Sequence, residues 1–550
     1  MHSNVILFFI ALIPIIWLIV SLGALKMPGH KACPIALVIT LILAIAVWKF
    51  SILDSLTGAL EGVVMGLWPI VYIIVAAVFT YNLTTASGSM NTIQKMMTGV
   101  SSDKRILTLI LAWGFGGFLE AIAGFGTAVA IPSGIMAGMG FNPITAAVLC
   151  LISNTTPTAF GAIGLPVTTL AQVSGLDVMH LSYVVTLQLF VLILIIPFVL
   201  VAIVGGGLKG IKGVFGITLA SGLAFAIPQI FVAKFIGAEL PAIVGSLCCL
   251  GVTIFMAKKF YPVTNRPDLS ISVHDSTDAL EENGASGGSA DAQGGGKELA
   301  QGGAKELAQA DGKVTPKQAV IAWMPFIFVF VLIILCSSLV PPIHNVLVSI
   351  QTSIQIYTGN GASPYTFQWL ACPGTLIIIA TFLGGLCQGL KPKEILIILG
   401  KTAKQMSKTA ITVCSIVALA KVMGYSGMIS IIATVLVALT GSFYPLIAPI
   451  IGALGTFVTG SDTSSNVLFG QLQVEAARAI DANSFWIAAA NMAGATAGKM
   501  ISPQSIAVAT AATGLTGQEG TILTKAMKFC VAYVVIIGLV VYFGGPLLGF

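Results

Sequence analysis

Apolar runs long enough to cross a bilayer, separated by short polar breaks, fill almost the whole chain, from "VILFFIALIPIIWLIV" at Val5 to "VVIIGLVVYFGGPLLGF" at Val534. A helix of about 20 apolar residues crosses roughly 30 Å of hydrocarbon. The pattern predicts twelve spans, near residues 5–23, 32–50, 60–82, 143–165, 180–204, 212–230, 239–257, 318–340, 368–390, 404–424, 484–503 and 524–548. Two further segments, 105–139 and 444–478, are too long for one straight span and carry glycine in the middle. Each predicts a re-entrant hairpin, whose non-helical tip is tolerable at membrane depth only where it lines a polar cavity or is buried in protein. One tip contains "GTFVTGSDTSSN", Gly455–Asn466, hydrogen-bonding chemistry set between apolar runs.

Composition agrees with that reading. Of 550 residues, 57% are hydrophobic and 8% charged, against about 25% charged in soluble chains, and the mean hydropathy is +1.00. The net charge of +6 does not form a basic patch with interleaved aromatics, so it argues for topology signals rather than nucleic acid. Lys26, Lys31, Lys95, Lys104, Arg105, Lys209, Lys212, Lys258, Lys259, Lys391, Lys393, Lys525 and Lys528 fall on one side of the twelve-span arrangement, while 341–367 opposite has no Lys or Arg. The positive-inside rule makes the lysine side cytoplasmic and puts both termini outside. The first run lacks a basic leader and a small-residue cleavage site, so it reads as a retained span. The nine cysteines show no metal-ligand spacing, and neither a metal nor a cofactor is expected.

Three regions follow: an N-terminal membrane half at 1–260, a flexible cytoplasmic linker at 261–316, and a C-terminal membrane half at 317–550. The linker is rich in Gly, Ala and Ser and repeats "GGGKELAQ" as "GGAKELAQ", too polar to bury a core. Across the halves, Ser87-Gly88 matches Ser426-Gly427, Gly116 matches Gly455 and Phe118 matches Phe457 at an offset of 339. Asn154, Gly161 and Pro166 then match Asn491, Gly498 and Pro503 at 337. In the orientation above the two copies are inverted. The fold class expected is an all-α polytopic membrane protein with about twelve transmembrane helices and two re-entrant hairpins in an inverted repeat, an arrangement of secondary transporters.

The candidate chemistry lies at the interruptions. The first copy reads "GFGGFLEAIAGFGTAVAIPSG" from Gly114 and "LISNTTPTAFGAIGLP" from Leu151. Gly124 and Gly126 permit a reversal beside Phe125, and Pro157 breaks the helix expected at 143–165. Freed N–H groups and the side chains of Asn154, Thr155 and Thr156 then suit an anion. The second copy offers Ser461, Thr463, Ser464, Ser465 and Asn466 at its tip, and Asn491 and Lys499 in a broken helix expected at 484–503. Lys499 at depth needs an acid, a carbonyl or an anionic ligand, unless it snorkels to the cytoplasmic interface. Glu120 and Asp462 are acids within apolar segments and candidate proton carriers, with helix capping the alternative for Asp462. They are not equivalent in the repeat, so the chemistry breaks its symmetry. Glu475 and Arg478 read as an ordinary intrahelical pair, and the five histidines lie at span ends or in loops.

"GFLEAIAGFG", "NTTPTAFGAIGLP", "FVTGSDTSSN" and "GKMISPQSIA" closely resemble the bacterial L-lactate permease family, over essentially the whole chain outside the linker. The resemblance implies a proton-driven symporter of L-lactate in the plasma (inner) membrane, commonly also accepting D-lactate and glycolate. "SNTT" at Ser153 is more distantly similar to the tips of sodium-coupled dicarboxylate transporters, so a sodium-coupled carboxylate symporter is the alternative. Lys421, inside a span, departs from the family pattern. An imported monoanion moves against a negative interior at about 2.3 kcal/mol per 100 mV; one co-transported proton cancels that movement. No nucleophile–histidine pair or phosphate loop supports an enzyme. The expected partners are a small 2-hydroxy acid, a proton and lipid, with a homo-oligomer left open.

Overall fold

The computed structural model describes residues 2–25, 27–98, 100–124, 126–261, 269, 314–336, 339–360, 362–515 and 518–550. The expected linker lies almost wholly outside the described residues, as does Phe125. Among the described residues ten helices are long and apolar enough to cross a bilayer. Eight of them fall on expected spans, while Lys104–Ile122 is a leg of the first expected hairpin and Met428–Thr459 runs into the second. Shorter apolar pieces, Ile6–Leu22, Pro143–Ser153 and Pro373–Cys387, belong to three more of the expected spans, and Ser484–Ile501 to the twelfth. The chain is a multi-pass membrane protein.

Local chemistry sets where the helices begin. Asn142 accepts from the backbone N–H of Thr145 at 3.1 Å and starts Pro143–Ser153, with proline in the first turn, where its missing donor is not needed. Asp177 does the same for Val178–Val204 through His180 N–H at 2.8 Å. Asn483 accepts from Phe485 and Trp486 N–H to start Ser484–Ile501.

Both hairpins are present. Lys104–Ile122 runs in and Thr127–Gly138 runs back, reversing through Gly124 and Gly126 at φ +60° and +87°. In the second, Tyr444–Thr459 and Asp462–Ala479 reverse through Gly460 at φ +72°. The repeat is visible in element order. Gly88 and Gly427 both take left-handed turns, at φ +75° and +85°, and each leads into a short helix, Ser89–Thr98 or Met428–Thr440. A hairpin, an interrupted helix and a long helix follow in each half, the last being Val178–Val204 or Glu519–Leu548. Met428–Thr440 was not expected as an element, because 13 residues are too few to read as a span.

Glycine lets the second copy pack backbone against backbone. Methyl groups at Gly494 and Gly498 would overlap the Pro449 and Ala453 carbonyls, and one at Gly452 the Asn491 carbonyl. Small residues four apart are the usual means of close helix approach in membranes. Among the described residues the strands form one two-stranded antiparallel hairpin, Gln351–Ile354 with Tyr365–Gln368. Tyr365 donates to the Trp68 carbonyl and accepts from Gln172, tying this segment to two elements before residue 260.

Candidate functional site

The interruptions differ from their sequence expectation in detail. In the first copy the helix breaks at Asn154, resumes for Thr155–Thr158, and turns left-handed through Ala162, Ile163 and Gly164, with φ of +44°, +57° and +78°. A methyl at Gly164 would overlap the Ala238 carbonyl, so the turn is pressed against the 237–240 loop. In the second copy Ser484–Ile501 is unbroken through Asn491, and the interruption comes at Ser502, which caps Pro503–Thr513. At the second hairpin tip the cap is Ser461, whose hydroxyl accepts from Ser464 N–H at 3.3 Å. Asp462 is therefore the first helical residue, its carboxyl not spent on capping.

Glu120, on the first hairpin, and Asp462, at the start of the second hairpin's returning helix, are each 3% exposed, and the charge of Lys499 acts on both. Thr158 donates to Glu120 Oε1 at 2.8 Å and also faces Asp462. Asn154 faces the Glu120 carboxyl, and Thr456 faces Asp462, neither closing a hydrogen bond. Lys499 is half-buried, and its ammonium donates to the Gly460 carbonyl at 2.9 Å, at the end of the helix that precedes Asp462. On the far side Tyr533, which pairs with Thr496 at 2.7 Å, faces Asp462 and Thr155. Gly161 makes room for the acid, since a methyl there would stand 2.8 Å from Glu120 Oε1.

Much of this chemistry has no partner within the protein. Glu120 Oε2, both amide atoms of Asn154, the hydroxyls of Thr156 and Thr456, and both oxygens of Asp462 are buried without a hydrogen bond. They make up seven of the fourteen such atoms among the described residues. Buried polar atoms are ordinarily paired, so this concentration marks a place built for something the chain does not itself supply.

The other expected site residues divide. Asn466 and Asn491 belong to a closed chain of side chains: Tyr444 donates to Gln473, Gln473 to Asn491, Asn491 to Asn466, and Asn466 to the Pro166 carbonyl and the Met492 sulfur. Ser465 donates to the Gly452 carbonyl and Thr155 to the Ile152 carbonyl. Thr463 and Ser464 are nearly buried on the first turn that carries Asp462. Gly124 stands beside the Glu120 carboxyl, and Gly126 packs on Val508. Thr158, Thr456 and Tyr533 were not singled out from the sequence; Thr158 and Thr456 do lie within the quoted motifs, whereas Tyr533 has no sequence signal.

A second charged cluster lies apart. Lys421 donates to Glu61 Oε1 at 2.9 Å, and Tyr425 donates to the same oxygen at 2.6 Å. Tyr357 stacks on Tyr425 at 3.8 Å. Glu475 and Arg478 form the intrahelical pair expected of them, at 3.1 Å.

The L-lactate permease family model matches residues 7–548. The chain is 56% identical over 480 residues to the L-lactate permease of Streptococcus iniae, covering 87% of this chain and 93% of that one. It is 34% identical over 551 residues to the glycolate permease GlcA of Escherichia coli K12, covering 96% and 94%. Among solved structures it is similar in fold to the YdaH transporter of Alcanivorax borkumensis, whose topology is unusual, with a TM-score of 0.50, 13% identity and coverage of 94% and 99%. Polytopic fold and near-full-length similarity lead to one conclusion: this chain belongs to the L-lactate permease family.

Proposed function

We propose that this protein imports L-lactate, and with it D-lactate and glycolate, by symport with protons across the bacterial plasma membrane. The termini lie outside and residues 261–316 in the cytoplasm. The family and its lactate- and glycolate-named members support the substrate class. The observation that carries the mechanism is the set of unpartnered buried atoms around Glu120 and Asp462. A 2-hydroxy acid needs donors for its carboxylate and a donor–acceptor pair for its hydroxyl. Asn154, Thr156, Thr456 and the Lys499 ammonium offer donors, and the two carboxyls offer both acceptors and exchangeable protons.

A proton carried on either acid offsets the charge of the entering anion, so an acid exterior drives uptake. The test is labelled lactate uptake into proteoliposomes of defined internal and external pH. An inward proton gradient should raise initial uptake and produce uphill accumulation without sodium. Uptake indifferent to that gradient but dependent on sodium would replace this reading with the sodium-coupled one.

A further inference from the structure

The charges at the site can be counted, and the count restricts how protons travel. Glu120 on the first hairpin and Asp462 on the second are its acids, and Lys499 on Ser484–Ile501 is its cation. The other titratable group facing Asp462 is Tyr533 on Glu519–Leu548, with Cys530 one turn away beside it. Lys499 is fixed by its bond to the Gly460 carbonyl, where a helix C-terminus favours a cation. Both carboxyls are buried, and each has at least one oxygen with no partner.

A site that crosses a bilayer both empty and loaded pays heavily for net charge in either state. With both acids ionised, two negative charges against one lysine leave the empty site negative and hostile to an anion. With both protonated it is positive. One proton on either acid makes it neutral, and the negative charge of one acid favours protonation of the other. A bound monocarboxylate restores the deficit, which a second proton then cancels, leaving two neutral acids and an ammonium–carboxylate pair.

We infer that the empty carrier holds one proton on either Glu120 or Asp462, that the hydroxy-acid anion enters with a second, and that Lys499 is the charge that fixes this ratio. This rests on the proton-coupled reading above. Lys499 acts as a positioning charge: its loss should change the ratio of protons to substrate and not only the rate.

The experiment measures lactate and proton fluxes together in proteoliposomes carrying an internal pH dye, with potassium and valinomycin setting the potential. In the wild type one proton enters per lactate, one pH unit accumulates lactate about tenfold, and the potential has no effect on that plateau. In Lys499→Gln the neutral empty site already holds protons on both acids, so the anion brings none and the loaded site crosses slowly, with one net negative charge. Its ratio falls to zero, and the plateau follows the potential at about tenfold per 59 mV. Lys499→Arg keeps the ratio at one. If Lys499→Gln fails to fold, Asp462→Asn and Glu120→Gln carry the same test, since either remaining acid can balance Lys499. Each single variant should keep a ratio of one, and the double variant should lose it. A Lys499→Gln carrier that still moves one proton per lactate overturns the inference, as does loss of coupling in a single acid variant that still exchanges lactate. A wild type that accumulates lactate with no proton flux rejects proton symport itself, a different failure.

Discussion

Replacing Asn466 by leucine separates a packing role from a binding role. Asn466 uses its whole amide within the protein: it donates to the Pro166 carbonyl at 3.0 Å and the Met492 sulfur at 2.8 Å, and accepts from Asn491 at 3.0 Å. Leucine preserves bulk and removes all three bonds. The Asn491 amide and the Pro166 carbonyl are then left without those partners in a fully buried place. At about 1–3 kcal/mol for each buried group left unpaired, the loss is about 2–6 kcal/mol. Interhelical hydrogen bonds in membranes average only about 0.6 kcal/mol when simply lost, which places the expectation near the lower end. Purified protein in detergent should therefore melt a few degrees lower, at about 2–4 °C per kcal/mol for a domain of moderate size. At a temperature where the fold holds, lactate affinity by equilibrium binding should change less than about threefold, under 1 kcal/mol. An unchanged melting temperature with affinity down about tenfold or more, 1.4 kcal/mol, would refute the assignment and return Asn466 to the ligand.

Thr158→Val removes the donor to Glu120 while keeping shape. A hydrogen bond to a charged group contributes about 1.5–3 kcal/mol, so proton-driven uptake should fall by roughly 10- to 150-fold in kcat/KM, with Thr158→Ser restoring most of it. Lys421→Met leaves Glu61 buried with Tyr425 as its remaining donor. Breaking one half of such a pair costs about 3 kcal/mol or more, visible as lower yield and melting temperature. The double variant Glu61→Gln with Lys421→Met should recover most of that stability, and lost transport at unchanged stability would count against a structural role.

What could be read from the sequence follows from the range over which each cause acts. Hydropathy contrast is local, so the spans and both hairpins were legible, and the repeat was legible through the register of Gly88 with Gly427 and Gly116 with Gly455. Glu120 and Asp462 stood out because acids in apolar runs need a reason to be there. The left-handed turn at Ala162 and Ile163 did not, since positive φ at residues with a Cβ is imposed by packing around Gly164 rather than by their own preference. Hydroxyls were the least legible. Thr155 bonds back to the Ile152 carbonyl while Thr158 reaches Glu120, and both are threonines within one turn of the same motif. Asn466 and Asn491 look like ligand groups until Gln473 and the Pro166 carbonyl are found to consume them. Lys421 has no visible partner in sequence because Glu61 lies 360 residues away.

The glycines of Ser484–Ile501 connect packing to chemistry. Gly494 and Gly498 are one turn apart and lie against Pro449 and Ala453, themselves one turn apart on the second hairpin. Their backbone carbonyls have no side-chain freedom with which to yield. Gly494→Ala must therefore push the two helices apart, and Lys499, five residues on, moves away from Gly460 and from both acids. Helix propensity alone would favour alanine by up to about 1 kcal/mol in a helix interior, and less at Gly138, the last residue of its helix, where nothing lies within 4 Å of the added methyl. Gly138→Ala should be neutral or slightly stabilising with uptake intact. Gly494→Ala should melt lower and lose lactate affinity together, because the same displacement opens the helix contact and takes the ammonium from the pocket. Equal melting temperatures for the two variants would mean that this interface can expand without cost, and Lys499 would then need some other restraint to hold it against the site.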